Sequence, residues 1–182
     1  MVDIGGQDAK VIRLDAAGQR VAHRMNRKCA AGTGRFLDEI ALRLGVDTAE
    51  LNALAARSGE ELELSSFCTV FAGTELLTMI RTGKRPPDLA MAAYRSLVKR
   101  VLAMDVFTGR IVATGGVVAH HRTVVDLLAS ELRTEVIVPP YPQEMGAIGA
   151  ALAARDGAVS VGPDARDRSP GRDPLVGAGD AD

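Results

Sequence analysis

A chain of 182 residues that is 47% hydrophobic and 25% charged carries enough apolar material for one domain with a real core. Its 22 basic and 23 acidic side chains give a net charge of −1, which excludes the basic footprint of a nucleic-acid-binding protein. No apolar run approaches the roughly 18–20 residues that span a bilayer, and the opening MVDIGGQDAK lacks the basic-then-apolar layout of a signal peptide; no membrane partner is expected, and the chain reads as cytoplasmic.

Residues 2–14, VDIGGQDAKVIRL, read as a strand, a tight glycine turn and a second strand, with Asp3 on the first and Val11 and Ile12 on the second. Asp3 and Asp8 flank a loop able to bring backbone N–H groups close to phosphate while a carboxylate holds a metal-bound water, although an ordinary hairpin needs the same glycines. A turn at residues 15–19 and a further strand at 20–25 complete an antiparallel meander that leads into Cys29. The small residues from Ala30 to Gly34 then let the backbone turn tightly, and Phe36, Ile40 and Leu44 recur at every fourth position, the period of one helix face. A cysteine thus stands at the mouth of a helix, where unpaired N–H groups and the positive dipole end would stabilise an anion such as a thiolate or a metal–sulfur cluster. A buried apolar thiol satisfies the same local pattern.

Gly45 stops that helix, and Asp47 or Thr48 caps a short second one over residues 49–57. Residues 58–66 run polar and extended into Cys68, and a helix over residues 69–81 follows, with Val70, Leu76, Leu77 and Ile80 as its apolar positions and Gly83 as its stop. Cysteine at a helix entrance therefore occurs twice. The repetition points to an anionic group held between helix N-termini, yet two ligands do not complete a four-coordinate site. With 2 cysteines in the whole chain and a cytoplasmic reading, a structural disulfide is disfavoured.

Pro86, Pro87 and Asp88 open a long helix to about Met104 that places Leu89, Ala93, Leu97 and Val101 along one side. A short buried strand at residues 110–114 ends in Gly115 and Gly116, and a helix over residues 117–132 follows. TGG thus falls at the carboxyl end of a strand, where α/β folds place ligands. The glycine pair permits close approach of a planar ring or a ribose, and a structural strand-to-helix turn accounts for it equally. His120 and His121 are adjacent on that helix and point in different directions, so they read as surface or capping residues. A strand at residues 135–139, a rigid proline loop and a small-residue helix at 143–155 end the pattern. From residue 156 the composition turns to Gly, Asp, Arg and Pro, which reads as one domain over 1–155 and a disordered tail over 156–182.

Taken together these motifs resemble the ATP-dependent activators of 2-hydroxyacyl-CoA dehydratases and the related ATPase subunits of benzoyl-CoA reductase, which share the actin-like (ribonuclease H-like) superfamily with acetate and sugar kinases. The matching segments are DIGGQD at 3–8, KCAAGTGRF at 28–36, CTVFAGTE at 68–75, TGGV at 114–117 and PQEMGAIGAAL at 142–152, in the family's order. The resemblance implies an α/β fold, one lobe of an actin-like ATPase with a mixed sheet flanked by helices. It implies that Cys29 and Cys68 are metal ligands, two thiolates from each subunit of a homodimer or paralogous heterodimer holding one shared [4Fe–4S] cluster. It further implies binding of ATP or ADP with Mg²⁺, with Asp3, Gln7 and Asp8 in the catalytic roles of handling phosphate, metal and attacking water, Gly5 and Gly6 at the phosphates, and Gly115 and Gly116 at the adenosine. The implied partners are an acyl-CoA reductase or dehydratase that receives a low-potential electron and a ferredoxin- or flavodoxin-type donor.

CTVFAGTE and MDVFTGRIVATGGVVAH resemble the benzoyl-CoA reductase subunits more than the dehydratase activators. Family members begin with a complete first lobe, whereas Met1 opens directly on the second phosphate loop, so the N-terminal lobe is expected to be missing or supplied by another polypeptide. The chain alone is therefore expected to have weak or no ATPase activity. Two alternatives stand beside this reading: a phosphotransferase lobe of the acetate or sugar kinase type, which gives no reason for the two cysteines, and a truncated non-catalytic remnant.

Overall fold

Alternating apolar residues at the start of the chain build the centre of a sheet. In the computed structural model, which describes residues 1–26, 33–64 and 69–157, β1 (Val2–Ile4) and β2 (Ala9–Leu14) bury Val2, Ile4, Ala9 and Val11 on one face. β3 (Arg20–Asn26) pairs antiparallel with β2, and β4 (Ile111–Thr114) and β5 (Val136–Ile137) add in parallel on the other side of β1, giving the order β3-β2-β1-β4-β5. Asp3 lies in register with Lys10 on one neighbour and with Thr114 on the other, so the central strand carries a carboxylate between an ammonium and a hydroxyl.

Helices cover this sheet. α1 (Gly34–Leu44) buries Phe36, Leu37, Ile40 and Ala41 and ends on Gly45 at φ 68°, the left-handed geometry that glycine adopts without strain. A 3₁₀ turn (Thr48–Glu50) leads into α2 (Leu51–Ala55); α3 (Thr69–Arg81) and the long α4 (Pro86–Leu102) follow, the latter with Pro at its first turn and Lys99 and Arg100 in its last. α5 (Gly116–His120) and α6 (Arg122–Leu132) come after β4, and α7 (Met145–Arg155) after β5. Leu51, Leu76, Leu89, Leu97, Val101 and Leu128 are fully buried, an aliphatic core that matches the scarcity of aromatic residues. The chain divides into two compact units, Met1–Met145 and Gly146–Asp182. The site lies within the first, and residues 146–157 are the described part of the second. Cys29, Cys68 and residues 158–182 of the expected tail lie outside the described residues. Among the described residues, no helix is long and apolar enough to cross a membrane.

Two local expectations change. The helix expected over residues 117–132 is broken at His121 (φ −124°, ψ 81°), which is buried and stands at the cap position between α5 and α6, while His120 is exposed. Tertiary partners replace the helical hydrogen bonds at the break. The Asn52 amide donates to the His120 carbonyl at 2.8 Å and accepts from the Thr123 hydroxyl at 2.8 Å and the Thr123 N–H at 3.2 Å. The His121 ring meets the Tyr94 hydroxyl at 2.7 Å through Nδ1, and burial pushes the histidine pKa down and the tyrosine pKa up.

The second change concerns residues 58–64, where the polar run is stapled to α4. Asp88, fully buried, accepts from Gly59 N at 2.7 Å, Glu60 N at 2.9 Å, the Ser58 hydroxyl at 3.0 Å and Arg85 Nε at 2.8 Å. The two backbone N–H groups hold its carboxyl well below the usual carboxylate range, with Arg85 and Ser58 adding to the effect. Leu62 and Leu64 turn into the core while Glu60, Glu61 and Glu63 pair with Lys84, Arg95 and Lys99.

Candidate functional site

The loop joining β1 to β2 is closed by a hydrogen bond from Gly5 N to the Asp8 carbonyl, 2.9 Å. A Cβ on Gly5 would lie 3.1 Å from Asp8 Oδ1 and 3.2 Å from Asp8 O, so the turn holds its geometry because that position has no side chain. Asp3 Oδ2 accepts from the Thr114 hydroxyl at 2.8 Å, and its Oδ1 is 3.4 Å from the Lys10 ammonium, which donates to Asp8 Oδ1 at 2.7 Å. The hydrogen bond to Asp8 is the main reason the Lys10 pKa is raised, with Asp3 adding to it. Gly6 and Gln7 are exposed at the tip of the loop.

TGG reaches the same place from β4. Gly115 has φ 100° and ψ 167°, and a Cβ there would stand 2.3 Å from the Ile4 carbonyl oxygen; its N–H donates to the Pro142 carbonyl at 2.8 Å. Gly115, just beyond β4, therefore packs against the backbone at the end of β1, bringing DIGG and TGG together at the carboxyl ends of two adjacent parallel strands. Gly116 opens α5. The Gln143 side chain lies about 3.8 Å from where a Gly116 Cβ would sit, and its amide oxygen accepts from His120 Nε2 at 2.8 Å.

The third contributor is α1. Gly34 N donates to the Gly5 carbonyl at 2.9 Å and Arg35 N to the Gly6 carbonyl at 2.7 Å. A Cβ on Gly34 would be 3.2 Å from Gly6 Cα and 3.2 Å from Val117 Cγ2, so the helix meets the loop backbone to backbone and meets α5 through the Val117 side chain. This modifies the expectation of free N–H groups facing the first cysteine. Thr33, buried and extended, is the residue before the helix, Cys29 lies further upstream, and two of the first N–H groups of α1 are spent on the loop carbonyls.

Asp3, Gly5, Gly6, Asp8, Gly115 and Gly116 are thus gathered at one end of the sheet, with Gln7 on the same loop, while Cys29 and Cys68 lie outside the described residues. Lys10 and Gln143 were not anticipated as site residues, and Thr114 only as part of its motif. Lys10 was within reach of sequence reasoning, because a tight turn at residues 5–8 sets it opposite Asp3 by counting. Carboxylates, a hydroxyl and backbone amides thus meet beside an ammonium that stands between the two carboxylates. Among the described residues no three His, Cys, Asp or Glu side chains gather to hold a metal by themselves.

Residues 1–154 match the BadF/BadG/BcrA/BcrD ATPase family. The chain is 44% identical over 159 residues to the 2-hydroxyisocaproyl-CoA dehydratase activator of Clostridioides difficile, covering 86% of this chain and 59% of that protein. The solved structure of the activator of the 2-hydroxyisocaproyl-CoA dehydratase from Clostridium difficile with bound ADPNP superposes with a TM-score of 0.79 at 43% identity, over 86% of this chain and 59% of that one. A benzoyl-CoA reductase subunit of Thauera aromatica is 30% identical over 160 residues, 84% of this chain and 57% of that protein. These identities do not carry the expected leaning towards the reductase subunits. The chain spans about three fifths of the length of these relatives. With the family match running over nearly all of the described residues, the activator fold reproduced and both glycine motifs meeting at the strand ends, the chain belongs to the BadF/BadG/BcrA/BcrD ATPase family.

Proposed function

We propose that this chain is the nucleotide-binding, cluster-carrying lobe of an ATP-dependent activator that passes a low-potential electron to a 2-hydroxyacyl-CoA dehydratase or a benzoyl-CoA reductase. The observation that carries the reading is the pair of hydrogen bonds from Gly34 N and Arg35 N to the Gly5 and Gly6 carbonyls, because they tie the helix that follows Cys29 to the loop that would hold phosphate. A displacement of that loop reaches the start of α1 with no flexible side chain between them. The ADPNP in the Clostridium difficile activator supports a nucleotide at this loop, and the names of the relatives support an acyl-CoA dehydratase or reductase as partner.

In this reading Gly5 and Gly6 admit phosphate against the backbone, Asp3 and Asp8 face Mg²⁺, Gln7 at the tip orients water, and Gly115 and Gly116 let adenosine lie against the chain. Thr114 fixes which oxygen of Asp3 is free to turn outward, by holding the other at 2.8 Å. When bound, a [4Fe–4S] cluster supplies one-electron chemistry at low potential; two copies of Cys29 and Cys68 would give its four thiolates, which makes a dimer part of the proposal. A ferredoxin- or flavodoxin-type protein would be the donor.

The test is anaerobic purification of the chain with iron counted and visible absorption recorded. A brown dimer carrying about four iron atoms per two chains is expected, with Cys29→Ser and Cys68→Ser each losing the iron and loosening the dimer. A folded, colourless, iron-free chain overturns the cluster. Titration with ADPNP tests the nucleotide separately.

A further inference from the structure

Lys10 stands where a cation is wanted. On β2 it lies directly across from Asp3, and its ammonium bridges two carboxylates that belong to different parts of the site: Asp8 Oδ1 of the loop at 2.7 Å and Asp3 Oδ1 of the strand at 3.4 Å. The other oxygen of Asp3 is committed to Thr114. On Asp3, the oxygen that faces Lys10 is thus the one left to face a divalent ion, and on Asp8 the ammonium holds Oδ1. Side-chain exposures of 29% for Lys10, 26% for Asp3 and 34% for Asp8 mean that the ammonium can leave without stranding a buried charge.

An ammonium 2.7 Å from Asp8 Oδ1 and 3.4 Å from Asp3 Oδ1 competes with a divalent ion for those oxygens, because the two cations repel each other at such separations. We propose that Lys10 is the resident counter-ion of the phosphate loop, holding Asp3 and Asp8 in one geometry in the nucleotide-free chain and giving up their oxygens when a divalent cation arrives with nucleotide. The freed ammonium, on a flexible four-carbon stem, then has the nucleotide phosphates as its nearest new anions. Lys10 is therefore a positioning residue with two effects of opposite sign: it competes with the metal and it favours the phosphates. The inference rests on the nucleotide reading of the loop only in its second half.

The experiment is Mn²⁺ binding to the full chain followed by electron paramagnetic resonance, first without nucleotide and then with ADP, for the native protein and Lys10→Met. Without nucleotide, Lys10→Met is expected to bind Mn²⁺ about tenfold more tightly, the scale set by losing one partly solvated competing charge. With EDTA in place of the metal, a calorimetric titration is expected to show it binding ADP several-fold more weakly. A merely structural lysine would move both in the same direction. Lys10→Arg, which keeps the charge, should restore the native pattern, and adding Asp8→Asn to Lys10→Met should abolish the gain in Mn²⁺ affinity. Lys10→Gln gives the same comparison if the Met variant folds poorly. Mn²⁺ affinity unchanged in Lys10→Met, or a gain that survives Asp8→Asn, overturns the inference. A gain in Mn²⁺ affinity with no ADP bound by either chain upholds the counter-ion role and overturns the nucleotide reading instead.

Discussion

Replacing Gly115 by alanine tests whether its close approach to the end of β1 holds the site together. The added Cβ would stand 2.3 Å from the Ile4 oxygen, 2.7 Å from its carbonyl carbon and 2.8 Å from its nitrogen, all backbone atoms of a strand pinned between β2 and β4. No side chain can swing away to relieve the contact. The backbone at φ 100° and ψ 167° adds conformational strain of about 1–3 kcal/mol for any residue with a Cβ, and forcing one carbon into a packed backbone adds about 1–3 kcal/mol more. The sum, about 2–6 kcal/mol, is a large share of the roughly 5–15 kcal/mol that holds a domain together. Urea unfolding of native and Gly115→Ala chains, extrapolated linearly with a shared slope, measures it. Because Ile4 leads straight into Gly5, ADPNP binding should fall as well in whatever fraction stays folded. Gly6→Ala is the control: a Cβ there meets nothing within 4 Å, so stability should stay within about 0.5 kcal/mol of native while nucleotide binding weakens. A Gly115→Ala chain within about 1 kcal/mol of native would refute the reasoning, as would a Gly6→Ala chain destabilised to the same extent as Gly115→Ala.

Thr114→Val keeps the shape of the side chain but removes the hydroxyl that holds Asp3 Oδ2, and should weaken Mg²⁺-dependent ADPNP binding several-fold in a calorimetric titration with little change in the folded spectrum. Tyr94→Phe leaves the buried His121 Nδ1 without its partner and should lower stability by about 1–3 kcal/mol in the same urea assay. His121 also sets a pH dependence: burial lowers its folded pKa below the unfolded value near 6.5, so the unfolded chain takes up the proton first. That contribution is fully present above about pH 6.5 and is lost as pH falls through the folded value, and unfolding midpoints of native and His121→Gln chains across this range should diverge accordingly. Asp88 is depressed in the opposite chemical class: its stabilisation is present above about pH 4, the unfolded carboxylate value, and fades as pH falls towards its lower folded value. Asp88→Asn should flatten that acid limb of the thermal unfolding curve and release residues 58–60 to proteolysis.

Which of these features could be read from the residues alone divides along a physical line. Period-2 alternation in residues 2–14 and period-4 recurrence at Phe36, Ile40 and Leu44 are imposed by burial on one face, so β1, β2 and α1 were legible locally. The break at His121 was not, because the pattern of residues 117–132 is a sound helix and only Asn52 and Tyr94, distant in sequence, make the interruption favourable. The same holds for residues 58–64, a polar extended run whose attachment to α4 depends on Asp88 gathering its N–H groups. Local propensity cannot see a partner supplied from another element.

The site itself shows the limit most sharply. DIGG and TGG were each visible, and each alone fitted an ordinary turn; they become one site because β1 and β4 are parallel neighbours although more than 100 residues separate them, with Asp3 in register with Thr114. The same register explains why a motif match misses the groups around Asp3: it belongs to the recognised loop, but the two side chains that bond its carboxylate, Lys10 and Thr114, are its cross-strand neighbours. A carboxylate on a central strand answers to both strands beside it. Whether Asp3 meets a metal ion is therefore decided by what β2 and β4 set opposite it, and the opposed effects expected of Lys10→Met and Thr114→Val, a gain in divalent-ion affinity for one and a loss of metal-dependent binding for the other, follow from that single placement.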